Sequence, residues 1–137
     1  MNIFDIHSFW EFEMLKTIIV AVVVLVACAA AFLFLQTPKN VGDPSKFDRA
    51  FSTSEQETLR TTQITPQELS DANGENGHPA WIAINGVVYG VTGAKDWQAP
   101  KWHHGVTPGG DVTEAFLTSG HGVEHIAGLT VIGSYAP

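Results

Sequence analysis

Apolar positions fall along the chain in three regimes. Leu15 to Leu35 reads LKTIIVAVVVLVACAAAFLFL, with Lys16 as its single charge. A run of about 20 apolar residues crosses the hydrocarbon core of a bilayer as a helix, so residues 15–35 predict one transmembrane anchor. A chain of 137 residues is too short to cover so long an all-apolar helix with a soluble core. Residues 1–14 set Phe4, Phe9, Trp10 and Phe12 among Asp5, Glu11 and Glu13. Aromatic side chains suit a membrane–water interface, and the segment is otherwise without chemistry. After the run the pattern fades. Residues 36–62 carry Pro38, Pro44 and mixed charge with little periodicity, which reads as a polar linker with room for a short helix over Ser54 to Arg60.

From position 63 onward the periodicity returns. Thr65 is placed as a helix N-cap, with Pro66 at the first helical position, Glu68 three residues after the cap, and Asn73-Gly74 as the stop. Trp81 to Ile84 and Val87 to Val91 are strand-like and flank Asn85-Gly86, a two-residue hairpin turn. Asp111 to Ser119 predicts a helix with Val112, Ala115 and Phe116 on one face, and Gly122 to Ala127 a shorter one. Leu129 to Tyr135 closes the chain as a strand. The expected class is α+β: a small domain at residues 63–137, with a short mixed sheet and small helices, behind one N-terminal transmembrane helix.

The net charge of −7 argues against a nucleic-acid partner. Candidate chemistry lies in the histidines. Of six, His103, His104, His121 and His125 fall within the stretch KWHHGVTPGGDVTEAFLTSGHGVEHI, while His7 and His78 lie elsewhere. Imidazole ligates haem iron, zinc and copper. An ordinary zinc site wants four close ligands, often with cysteine, and here Gly, Val, Ala, Phe and Leu surround the histidines instead. A flat ring held between two loop-borne imidazoles fits that setting better. Gly105, Gly109, Gly110, Gly120 and Gly122 let backbone approach it closely. The one cysteine, Cys28, lies in the apolar run, so no C-x-x-C-H attachment exists and any haem is held non-covalently. Trp81, Trp97, Trp102 and Tyr89 read as core and slot-lining residues, and Asp111 as a helix cap.

These residues together carry a family resemblance. Asn85-Gly86-Val87-Val88-Tyr89-Gly90-Val91-Thr92 resembles the strand pair of cytochrome b5 domains. Gly109-Gly110-Asp111-Val112-Thr113 resembles the family's Asp-x-Thr helix start, Gly120-His121 follows at the spacing of its second axial histidine, and Val131-Ile132-Gly133-Ser134-Tyr135 resembles its closing strand. The likeness spans about residues 63–136. It departs at the first ligand: His103-His104-Gly105 stands where the family has H-P-G-G and a longer segment. That short form is similar to the branch related to membrane-associated progesterone receptor proteins. The resemblance implies haem b held by His104 and His121, with His103 as the alternative to His104.

Two ligated axial positions imply a single-electron carrier rather than an enzyme. One ligand alone would imply a haem or sterol-like binding module. Residues 61–137 hold seven carboxylates against Lys95 and Lys101, which suits a basic redox partner. Cues to the membrane side conflict. Lys39, Lys46 and Arg49 outnumber Lys16 and favour an inside domain, while Met14-Leu15-Lys16 before the apolar run is signal-like and leaves Met1 and Met14 both open as the start. Leu25-Val26-Ala27-Cys28 resembles a lipoprotein lipobox, although the chain stays apolar beyond it. The expectation is a membrane-anchored domain outside the cytoplasm.

Overall fold

In the computed structural model, residues 3–35, 39–98 and 102–137 are described. The chain divides into two units, Met1–Pro38 and Lys39–Pro137. The first is a single helix, α1 (Ile3–Leu35). Among the described residues it is the one helix long and apolar enough to cross a membrane, over Trp10–Leu35. A signal sequence would pass the same test. Its large apolar side chains are exposed, Phe34 and Leu35 to 80% and 82%, so it is no core helix of a soluble domain.

The second unit is built on a four-stranded sheet in the order β1-β4-β3-β2, from β1 (Gln63–Ile64), β2 (Trp81–Ile84), β3 (Val87–Gly90) and β4 (Thr130–Tyr135). β2 and β3 form the hairpin expected of Asn85-Gly86, and both turn residues have the positive φ that such a turn demands, 47° and 78°. β4 runs antiparallel to β3, with an irregularity at Val88/Tyr89, and parallel to β1. α3 (Pro66–Asp71) starts as its sequence dictates: Thr65 and Glu68 form a reciprocal capping box around Pro66. α4 (Thr113–Thr118) and α5 (Glu124–Ala127) complete the carboxyl half.

Side chains alternate across β2 and split the core in two. Ile82, Ile84, Tyr89 and Val91 pack with Phe116, Ile126 and Val131 on one face. Ile64, Leu69, Ala83 and Val88 pack on the other, where Trp81 joins them. Trp81 is therefore a core residue of the face opposite the one that carries Phe116, not a slot-lining one.

The reading of residues 36–62 as a tether fails from Lys39 onward. That segment belongs to the compact unit. A 3-10 turn at Pro44–Phe47 is capped by the Asp43 side chain, and α2 (Thr53–Thr61) begins on a Ser52–Glu55 capping box. Arg49, its side chain 6% exposed, pairs with Glu55 and lies 5.4 Å from the Tyr89 ring centre. Lys46 is 3% exposed. The missing sequence signal is intelligible: a few buried anchors spaced along an irregular strap produce no period.

Candidate functional site

The site hangs from β2. Gly109 N donates to Trp81 O at 2.7 Å, Ala83 N to Gly110 O at 3.0 Å, and Val112 N to Ala83 O at 2.8 Å. Gly109 is needed there: it has φ 93°, and a Cβ would meet Ser70 O at 3.2 Å. Asp111 Oδ1 accepts the Thr113 amide at 2.9 Å and the Thr113 hydroxyl, whose oxygen in turn accepts Asn85 N at 2.8 Å. This Asp-x-Thr knot pins the start of α4 to the hairpin turn. α4 then delivers Phe116 into the core and leads through Gly120 to His121.

A cavity of about 520 Å³ opens between α4, α5 and the loop after β3. Such a volume is ordinary for a small-molecule or cofactor site. Its walls are mainly apolar, with Ile84, Ala94, Val112, Phe116, Ile126 and Leu129 among them. Trp97 also lines it and stacks on the His103 ring, 5.3 Å between centres at 18°. Trp102 sits at the edge of the site, with its ring against Gly74.

Four histidines meet at the mouth. His103 Nε2 and His121 Nε2 face each other at 3.0 Å, so one ring donates and the other accepts. Both rings are half-buried. Burial is the main cause that lowers the pKa of each, aided by neighbouring imidazoles. The Asp96 carboxylate and backbone oppose the shift at His103. Both therefore stand neutral near pH 7, as metal ligation requires. His104 is exposed and takes a left-handed conformation, φ 50° and ψ 30°, within a 3-10 turn at His103–Gly105. Its ring centre is 5.3 Å from that of His121, and the ligand nitrogens of His103, His104 and His121 all lie within 4.8 Å of one another. His125, exposed, packs 4.1 Å from the His121 ring and contacts the Glu124 carboxylate at 3.2 Å. His78 is exposed in a turn and is not among the residues that line the cavity.

All three histidines singled out in the sequence are thus brought together, with His103 rather than His104 turned directly onto His121. The structure adds Ala94 and Leu129 to the walls. Ala94 lies in the turn after β3, with no periodic neighbour to announce it, and Leu129 just ahead of β4, two positions before Val131 of the same core cluster.

No protein-family profile matches the sequence, and no curated protein does. Solved structures do. A cytochrome b5 domain protein of Hadesarchaea YNP_N21 is 37% identical, with a TM-score of 0.51; the match covers 56% of this chain and 100% of that one. A cytochrome b5 domain protein of Methanococcoides burtonii is 25% identical at the same TM-score, over 56% of this chain and 99% of that one. The matched length, 56% of 137 residues or about 77, is shorter than the compact unit Lys39–Pro137. A mixed sheet bearing an Asp-x-Thr helix start and paired imidazoles, together with a 37% identical relative covered over its whole length, places this chain in the cytochrome b5 domain family.

Proposed function

We propose that the protein is a membrane-anchored b-type cytochrome that holds one haem b between His103 and His121 and passes single electrons. One observation carries this reading: the Nε2 atoms of those two residues converge at the mouth of an apolar cavity. The donor set fits the group in kind, and the two Nε2 atoms, 3.0 Å apart, part to admit a metal whose bonds to nitrogen are each about 2 Å. Two neutral imidazoles come from separate loops, with aliphatic walls and aromatic Trp97 and Phe116 around them. His103 and His121 would hold haem there, and it would supply a one-electron iron couple closed to substrate and oxygen by its two protein ligands.

His103 is preferred to His104 because its ring is the half-buried one, backed by Trp97 and aimed at His121. His104 belongs to the rim. Membrane attachment rests on the length and apolar composition of α1 over Trp10–Leu35. The signal-like start favours a domain outside the cytoplasm.

The test is reconstitution of the full chain in detergent with haemin, followed by oxidised and reduced absorption spectra. Wild type and His104→Ala are expected to show sharp low-spin bands, and His103→Ala and His121→Ala to lose them. A low-spin spectrum that survives in His103→Ala and vanishes in His104→Ala would exchange the two roles. Loss in His121→Ala alone would indicate one axial ligand and an open binding face. No haem band in wild type would overturn the proposal and leave a three-histidine zinc or copper site as the reading to assay by metal analysis.

A further inference from the structure

Lys46 is the most unusual side chain outside the cavity. Its ammonium is buried, and among the described residues no carboxylate lies within ion-pair distance. Four backbone carbonyls surround it instead: Phe116 O at 2.6 Å, Ser119 O at 2.9 Å, Asn40 O at 3.0 Å and Leu117 O at 3.1 Å. It also stands 4.8 Å above the Phe116 ring. Two more bonds come from the same strap. Gly42 N donates to Leu117 O at 2.8 Å, and Asn40 Nδ2 to Gly120 O at 3.3 Å. Carbonyls at the end of a helix have no helical partner and must be satisfied from outside. Here those of Phe116, Leu117, Ser119 and Gly120 each accept a bond from residues 40–46, and Phe116 O accepts from Ser119 N and Oγ as well.

That arrangement is costly unless it does something. A buried charge without a directly paired carboxylate is expensive even when well hydrogen-bonded, and Asp43, on the same strap, acts on it only at longer range. Surface water would satisfy the same carbonyls without it. What the lysine adds is rigidity at the four residues before His121, together with a fixed positive charge behind Phe116, a wall of the cavity.

We infer that the strap Asn40–Lys46 is an integral part of the haem site, with Lys46 the positioning residue that holds the His121 loop in its ligating conformation and whose charge favours the reduced iron. The inference rests on the haem reading above. A fixed cation near the iron stabilises the form carrying one fewer positive charge, so it raises the reduction potential.

The test compares wild type with Lys46→Met, Lys46→Gln and Lys46→Arg in the full chain, with exposed Lys39→Gln as the control for charge alone. Three readouts are taken: the rate of haem loss to a scavenger protein, the midpoint potential, and amide hydrogen exchange of haem-free protein over residues 117–122. Loss of hydrogen bonds to a buried charged group is expected to speed haem loss roughly tenfold or more in Lys46→Met. The potential should fall in both neutral variants and return toward wild type in Lys46→Arg, and exchange over 117–122 should rise in Lys46→Met. Lys39→Gln should match wild type. If Lys46→Met does not fold, Lys46→Gln, which keeps a donor amide, decides the potential and exchange. Wild-type rates, potential and exchange in the neutral variants would overturn the inference and leave the cytochrome reading intact. A wild type that takes up no haem would overturn both.

Discussion

At the scale of single residues, tight fits and a few torsions decide most. Gly133 is an instance: a Cβ there would meet Thr62 O at 2.6 Å, and that carbonyl accepts Ser134 N at 2.9 Å. Gly133→Ala must push β1 and the end of α2 away from β4. It should lower the unfolding free energy of the domain by about 1–3 kcal/mol in urea titrations, as overpacking does. The glycine of the closing strand was visible in the sequence, but the carbonyl it accommodates, 71 positions upstream, was not. The two neighbouring histidines show the same limit. Nothing in His103-His104 says which ring turns inward; the left-handed torsion at His104 does, and histidine is among the residues that tolerate it. Burial of His103 and His121 also sets a pH dependence. Their folded-state pKa values lie below 6.5, so the unfolded chain binds more protons as pH falls. Stability of the haem-free domain should be fully present above about pH 6.5 and decline as pH drops through the lowered folded-state values. The slope should flatten in the double variant His103→Ala/His121→Ala, by denaturation at stepped pH.

At the scale of elements, the legible ones were those whose instructions are local. Thr65, Pro66 and Glu68 specify the start of α3 within four residues, and Asn85-Gly86 specifies its turn within two. Thr65→Ala should remove the capping box and cost about 1 kcal/mol in thermal or urea unfolding, while the haem spectrum is unchanged, because α3 supplies no wall of the cavity. The depressed pKa of Glu68, caused first by the Thr65 backbone hydrogen bond, follows the carboxylate rule: its contribution is present above pH 4.5 and lost as pH falls through the lower folded value. The strap from Lys39 to Arg49 was read as linker because its contacts are distant. Lys46 reaches Phe116, 70 residues on, and a polar, proline-containing stretch is what both tethers and straps look like in one dimension.

At the scale of the molecule, charge and core have separate consequences. The compact unit Lys39–Pro137 holds eleven carboxylates against six lysines and arginines. Reduction by a basic partner protein should therefore slow as salt rises through the range where the screening length shrinks to about 10 Å and below, and stopped-flow rates that ignore ionic strength would exclude charge-guided docking. The divided core bears on how the protein is made. Ile64, Leu69, Ala83 and Val88 bury themselves on the face of the sheet away from the cavity, and none of them lines it. This smaller part of the core thus makes no contact with the cavity. The haem-free chain should therefore keep that face of the sheet folded, and limited proteolysis before and after addition of haemin checks it: cuts confined to the cavity side bear this out.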